Sequence, residues 1–433
     1  MLRVLEFDDP DAERFLDREF SLPEEAARAV DAIIARVRAE GDAALCAFTA
    51  QFDNVELEPE GLAVGEAEID NAYGAVSAEY VSALRLARER IFDFHAKQVA
   101  ETWREVKPDG SVLGQLVRPL DRVGVYVPGG RARYPSSVLM NAVPARVAGV
   151  REVVMVTPPG PGGRIDPHVL VAAREAGVDT VFRVGGAQAV AALAFGTQRV
   201  PRVDKIVGPG NIYVTLAKRA VFGVVGIDIL AGPSEVVVVA DDTADPRYVA
   251  ADLLAQAEHD PDARVLLVTT SRELACRVNK ALQAAFVALG EPEVARRALA
   301  HAAALIAPDL AAAVSYANRF APEHLELLVA EPSAWLGEIR NAGAVFLGPY
   351  SPVPIGDYIA GPNHVLPTGG SARFFSPLGV ADFTKRINFV GLSPGVFEGL
   401  AGPAALLASV EGLPAHQTAI MLRKKGTGFF FEE

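Results

Sequence analysis

Cysteine is nearly missing from this sequence: Cys46 and Cys276 are the only two among 433 residues. They form no CxxC pair and no disulfide framework, so the plain reading is two buried or idle thiols. A surplus of positive charge is missing as well. Lys and Arg number 41 against 54 Asp and Glu, a formal net charge of -13, and a field of that sign repels a nucleic-acid duplex or an anionic membrane. No apolar run approaches the roughly 20 residues that a membrane span needs. The opening MLRVLEFDDPDAERF has no charged start leading into an apolar stretch, so no secretory signal is expected and the cytoplasm is the simplest location. Neither GxGxxG nor HExxH occurs, so the standard dinucleotide fingerprint and a common helical zinc motif are both absent. There is no exact internal repeat and no low-complexity tract.

The chain does have length and apolar material. At 433 residues it exceeds what one hydrophobic core holds, so two or more domains are expected. Half the residues are hydrophobic and 22% are charged, an ordinary globular balance. From about residue 112 one pattern recurs: a short β-branched run, a Gly/Pro turn, then a helix-length segment. The runs lie at 123–127, 153–156, 181–184, 205–207, 236–240, 265–268 and 344–347. Nearly continuous apolar strands imply burial on both faces, hence parallel sheets covered by helices, an α/β fold of βαβ units. Helix limits are marked by Asp166-Pro167 with Gly177 at the far end, and by Asp245-Pro246 with Pro261 beyond. The helix after Pro246 places Val249, Leu253 and Ala257 at fourfold spacing on its buried face. Segments 23–40 and 77–97 are rich in Ala, Glu and Arg and read as helices. Near the end, 403–410 and 416–423 read as short helices joined by Gly412-Leu413-Pro414. This tail has too little apolar surface for a core of its own and is expected to dock on the body or on a partner.

The chemistry-bearing residues are few. Of seven histidines, His95, His168 and His301 sit in ordinary helical context and read as surface or packing residues. Gln256 and His259 are three apart at the end of the helix begun by Pro246, which puts both on one face. The negative end of the helix dipole favours a cation there. Asp357, between Gly356 and Tyr358, is a natural oxygen ligand, and His416 would close a four-coordinate N/O set. Zinc accepts such a set, and Mn²⁺ or Co²⁺ would also fit. Glu323-His324 enters a strand-like run (325–329), where an imidazole and a carboxylate side by side can move protons; two solvated turn residues are the plainer alternative. Residues 348–370 hold five prolines and five glycines together with Asp357 and His364, and a long irregular stretch of that kind is often functional. Gly-rich turns at 128–130, 185–186 and 208–211 stand between strands and helices, where backbone N–H groups bind anions. Ser234, in the turn 231–235, can donate to a ligand.

These same stretches carry a resemblance. YVPGG from Tyr126, YPSSVLMNAVPA from Tyr134, GGAQAVAALAFGT from Gly185, DKIVGPGNIYV from Asp204, AGPSEVVVVAD from Ala231, ADLLAQAEHD from Ala251, APEHLEL from Ala321, GDYIAGPNHVLPTGG from Gly356 and EGLPAHQ from Glu411 run in the order of the histidinol dehydrogenase family. The resemblance covers nearly the whole chain. It implies oxidation of L-histidinol through L-histidinal to L-histidine, with two NAD⁺ and a zinc ion in each subunit, in the last steps of histidine synthesis. It implies zinc ligands at Gln256, His259, Asp357 and His416, and a proton-transfer pair at Glu323 and His324. Substrate contacts fall at Ser234, His364 and Glu411 besides His324 and the metal ligands, and NAD contacts at Tyr126, Gln188 and Asn211. Arg131, Arg133 and Arg183 stand where smaller residues are familiar.

The implied architecture is two incomplete Rossmann-like domains with terminal segments that pack on a partner subunit in a homodimer. The expected division is residues 1–20 docking with the C-terminal part, 21–125 with 235–378 as the first domain, 126–234 as the NAD-side domain, and 379–433 as a segment exchanged between subunits. His416 and Glu411 would then enter the partner's site. Two other readings are a dehydrogenase of the same family acting on another polar alcohol, such as a sulfopropanediol, and a zinc hydrolase with an open metal position. A non-enzymatic binding module would leave the Glu-His pair and the metal set unexplained.

Overall fold

The computed structural model describes residues 1–17, 23–129 and 133–424. The chain divides into two compact units: residues 1–99 with 120–383, and residues 100–119 with those from 384 on. Among the described residues no helix is long and apolar enough to cross a membrane.

The first unit holds the two parallel sheets that the strand–helix alternation predicts. One has five strands in the spatial order Thr180–Arg183, Glu152–Thr157, Arg122–Tyr126, Lys205–Val207 and Gly226–Ile227. Numbered along the chain this order is 3-2-1-4-5, part of the doubly wound arrangement. The other has six strands: Arg3–Glu6, Ala303–Ile306, Arg264–Thr269, Glu235–Ala240, His324–Leu328 and Ala344–Leu347. Leaving aside Arg3–Glu6 at its edge, the order is again 3-2-1-4-5. Alternate residues of each strand feed opposite faces. Val236, Val238 and Val265 enter one core, while Val237, Val239 and Leu266 enter the other, so the strand reads apolar throughout.

Local signals act where they stand in the sequence. The Asp166 side chain accepts from the His168 N–H at the start of helix Pro167–Ala176, and Gly177 ends that helix at φ +78. Asp245 caps Pro246–Ala257 through the Arg247 N–H, and Val249, Leu253 and Ala257 are fully buried. His95 is buried beside Gln98 (2.8 Å) and serves packing, whereas His301 is exposed. Cys46 and Cys276 are both free thiols.

The helices before residue 100 pack differently from the expected division. Glu24–Glu40 and Asp42–Asp53 share a core with Tyr126, Val154 and Val156, on one face of the five-stranded sheet. Glu66–Ala72 and Ala78–Ala96 share the opposite core with Val123, Val125 and Met155. Residues 24–96 and strand Arg122–Tyr126 thus belong with the five-stranded sheet, not with the strands after 235. The first residues are no separate docking segment either, because Arg3–Glu6 pairs in parallel with Ala303–Ile306. An amphipathic helix specifies that one face is buried but not which sheet covers it.

The second unit is an antiparallel sheet of Trp103–Val106, Val112–Pro119 and Thr384–Gly391, followed by helices Pro394–Val410 and Pro414–Met421. The longer helix begins well before residue 403, because the Ser393 hydroxyl caps it and Pro394 occupies its first turn. Ala401, Ala405 and Ala408 are buried, while Leu406, Leu407 and Val410 are exposed in the single chain.

Candidate functional site

A helix that follows a parallel strand returns to the strand's starting edge. Helix Pro246–Ala257 therefore delivers Gln256 and His259 to the edge of the six-stranded sheet where Glu235–Ala240 and His324–Leu328 begin. These are the two strands at which the chain order of that sheet reverses. Ser234 immediately precedes one and Glu323 the other. The irregular stretch after Ala344–Leu347 folds back and brings Asp357 and His364 to the same edge.

The two backbone groups of one residue, Glu235, engage the adjacent Glu323 and His324. The backbone N–H of Glu235 donates to Glu323 Oε2 (2.8 Å), and its carbonyl lies 3.0 Å from His324 Nδ1. That carbonyl can only accept, so Nδ1 carries the hydrogen and Nε2 of the neutral ring is left as the basic nitrogen. Nε2 is buried without a hydrogen-bond partner, 3.7 Å from Asp357 Oδ1. Glu323 Oε2 lies 3.5 Å from His324 Nδ1. Burial pushes Glu323 up to about 7 against the opposing pull of His324 and the Glu235 N–H. Burial alone would push His324 down, but Glu323 and Asp357 overrule it and raise it to about 9. Asp357 is held below the ordinary carboxylate range: burial raises it, and the charges of His324, His364 and His259 more than offset that. His364 Nδ1 lies 3.1 Å from the Asp357 carbonyl, and burial pushes this imidazole down.

Gln256 is buried, His259 is exposed, and Asp357 and Ser234 are half-buried. Amide oxygen, imidazole nitrogen and carboxylate oxygen suit zinc in kind. The set is incomplete within the first unit, and among the described residues no three His, Cys, Asp or Glu side chains form a ready metal cage. His416, within Pro414–Met421, and Glu411, at the end of Pro394–Val410, lie exposed in the second unit.

The other cluster occupies the opposite kind of edge, after the strands of the five-stranded sheet. Tyr126 ends the central strand, Gln188 follows Thr180–Arg183 and Asn211 follows Lys205–Val207. Tyr126 and Asn211 flank the point where the strand order reverses, the usual place for a nucleotide in such sheets. The buried Tyr126 hydroxyl accepts from the Gly186 N–H (3.0 Å), and burial pushes it up to about 12. Gln188 is buried with its Oε1 unpartnered. Asn211 Oδ1 caps helix Ile212–Val221 through the N–H groups of Tyr213 and Val214, which leaves its amide nitrogen as the donor for a ligand. Arg183 turns away from this cluster, donating to the carbonyls of Gly61 and Ala63 and pairing with Glu68. Arg133 pairs with Asp166 (2.7 Å). Gly130 and Arg131 lie outside the described residues.

Two 3-2-1-4-5 sheets, one with glycine-rich turns at its switch point and one with a buried acid–imidazole pair, form an arrangement suited to a nucleotide-dependent enzyme of the α/β class. A profile of the histidinol dehydrogenase family matches residues 16–424. The chain is 52% identical over 424 residues to histidinol dehydrogenase of Heliobacterium mobile, covering 98% of this chain and 99% of that one. It is 54% identical over 403 residues to the enzyme of Moorella thermoacetica, with 93% and 95% covered. A crystal structure of histidinol dehydrogenase from Elizabethkingia anophelis matches with a TM-score of 0.93 at 34% identity, covering 98% of both chains. The chain belongs to the histidinol dehydrogenase family, and is an oxidoreductase of histidine biosynthesis with the activity EC 1.1.1.23.

Sequence reasoning passed over Glu235, whose peptide rather than side chain matters, and over the acids Asp252 and Glu326. A charged residue inside the apolar strand HLELL was the available signal. Glu326 is buried, its Oε1 accepts the Val353 N–H (3.0 Å), and its Oε2 is buried without a hydrogen-bond partner. Burial, reinforced by Asp252, pushes Glu326 up to about 8. Burial likewise pushes Asp252 up to about 6. A carboxyl whose folded pKa is raised holds its proton more tightly in the folded state. Its stabilising effect is therefore greatest below the unfolded value of 4.5 and is lost as pH rises through about 8. Glu326→Gln keeps an oxygen for the Val353 N–H and removes the titrating carboxyl. The thermal midpoint of this variant should fall less than that of the parent between about pH 5 and about pH 8.5. Parallel melting curves across that range would refute the raised Glu326 carboxyl.

Proposed function

We propose that this chain oxidises L-histidinol through L-histidinal to L-histidine, taking up NAD⁺ twice, with a zinc ion held in each subunit. The observation that carries the reading is that the N–H and the carbonyl of one residue, Glu235, orient both Glu323 and His324 beside Asp357. Zinc would be held by Gln256, His259, Asp357 and His416, and would supply a fixed grip on substrate nitrogen without a redox role. Tyr126, Gln188 and Asn211 would hold NAD⁺, which would supply the hydride acceptor. His324 takes the hydroxyl proton at Nε2, because Nδ1 is tied to the Glu235 carbonyl. Glu323, with Oε2 on the Glu235 N–H, keeps Oε1 to assist water in the aldehyde step. Ser234 and His364 bind and orient the substrate, which brings the reacting carbon into near-attack geometry.

The reading includes a homodimer in which His416 and Glu411 of each tail complete the site of the other copy. The exposed Leu406, Leu407 and Val410, and the three ligands on the first unit, support it. The reaction belongs in the cytoplasm, as a step of amino-acid synthesis. The test is absorbance of NADH with purified protein, NAD⁺, zinc and L-histidinol, repeated after chelation and zinc return. Two NADH per histidinol, lost on chelation and restored by zinc, is the expected result. Metal-bound, folded protein that forms no NADH from histidinol would transfer the reading to another polar alcohol, and turnover without NAD⁺ would point to a hydrolase.

A further inference from the structure

A buried ion pair sits behind the turn that carries Asn211. Lys218, on helix Ile212–Val221, and Asp228, after strand Gly226–Ile227, have side chains only 4% and 2% exposed, and they pair with each other. Both also hold the backbone of one residue, Gly208. Asp228 Oδ2 accepts the Gly208 N–H (2.8 Å), and Lys218 Nζ donates to the Gly208 carbonyl (3.1 Å). Gly208 opens the turn 208–211 at φ +111, and a Cβ there would lie 2.1 Å from the Tyr126 carbonyl oxygen. The turn is therefore pressed against the backbone of one residue of the NAD-side cluster and ends in another.

Burying two charges is expensive, and replacing such a pair with neutral groups of similar size is often harmless to stability. Stability is thus a poor reason for a charged pair at this place. Fixing a conformation is a better one. Glycine and proline fill the turn before Asn211, and a Gly-Pro-Gly stretch has little side-chain packing to define its path. The pair grips it at its first residue, through the N–H and the carbonyl of Gly208.

We infer that Lys218 and Asp228 are positioning residues for the cofactor: by clamping the Gly208 backbone on both sides of its Cα they hold the 208–211 turn in the shape that presents the Asn211 amide to NAD⁺. This rests on the reading of Tyr126, Gln188 and Asn211 as the NAD side. Neither side chain touches the cofactor in this scheme. Without the clamp the turn would occupy its competent shape only part of the time, and apparent affinity would fall by that fraction.

The test uses the full-length, zinc-loaded protein and the paired variant Lys218→Met with Asp228→Asn, which leaves no unpaired buried charge. Calorimetric titration with NAD⁺ alone should show a Kd raised about tenfold, the value for a turn competent about a tenth of the time. Zinc content and KM for the alcohol should stay as in the parent; general loosening of the fold would move these as well. A folded paired variant with the parent's Kd for NAD⁺ overturns the inference. A parent protein that fails to bind NAD⁺ overturns the underlying cofactor reading instead. Amide exchange in the parent supplies an arm that needs no variant. The Gly208 amide should be protected before NAD⁺ is added, because Asp228 already holds it; exchange at the rate of an open loop would overturn the clamp.

Discussion

Glu323→Gln is expected to slow aldehyde oxidation by roughly 10²–10⁴-fold while alcohol oxidation stays much closer to the parent rate, whereas His324→Gln should slow both by that order. The difference follows from what each group is bonded to. His324 has one free nitrogen, Nε2, because Nδ1 is committed to the Glu235 carbonyl. Each oxidation must shed a hydroxyl proton, first from the alcohol and then from the aldehyde hydrate, so loss of Nε2 is felt twice. In the proposed reaction Glu323 assists the addition of water to the aldehyde, and a carboxyl pushed up to about 7 can both accept and return a proton near neutrality. Glutamine keeps an oxygen for the Glu235 N–H, so the strand entrance stays intact while proton transfer is lost. Rates from histidinol and from histidinal, measured separately on each variant, decide the matter. Equal losses in both half-reactions for Glu323→Gln would end this division of labour.

Two inactive proteins should restore each other's activity. If the tail completes the site of a second copy, His416→Ala and His324→Gln fail for different reasons on different chains. In a mixed dimer, the body of the His416→Ala chain has an intact His324 and receives the intact His416 of the other chain. That site works, and the remaining one carries both defects. Co-refolded or co-expressed mixtures should therefore rise from near background to a sizeable fraction of parent activity, with about half the sites of each mixed dimer restored. If His416 served its own chain, each chain would carry its own defect and no mixture would recover. An unrecovered mixture, shown to contain mixed dimers by two distinguishable tags, would rule out the exchanged tail.

Much of the first unit could be read before any coordinates. β-branched runs at 236–240 and 265–268 are apolar at every position because both faces are buried, and that pattern admits few readings besides a parallel strand. Asp166-Pro167 and Asp245-Pro246 mark helix starts through bonds that span only two residues. The Glu323-His324 pair was visible as two adjacent titratable side chains at a strand entrance.

Other features depend on partners far away in the chain. Arg3–Glu6 is too short to announce itself, and its strand character comes from pairing with residues 300 positions later. The helices before residue 100 show one apolar face each, and nothing local selects the five-stranded sheet as their cover. Glu235 matters through its peptide, which every residue possesses. Lys218 and Asp228 become a clamp only because strands Lys205–Val207 and Gly226–Ile227 are neighbours.

The sequence by itself determined the strand and helix alphabet of the body, the caps, and the residue types available for proton transfer and metal ligation, since these rest on periodicity and on interactions over a few residues. The tertiary structure decided which sheet each helix covers, which nitrogen of His324 is free, and that the two clusters sit at opposite kinds of strand edge. The physical reason is range: helix caps and buried faces are settled within a turn or a strand, whereas tautomers, raised carboxyls and clamped peptides are settled by whichever group the rest of the chain brings within 3 Å.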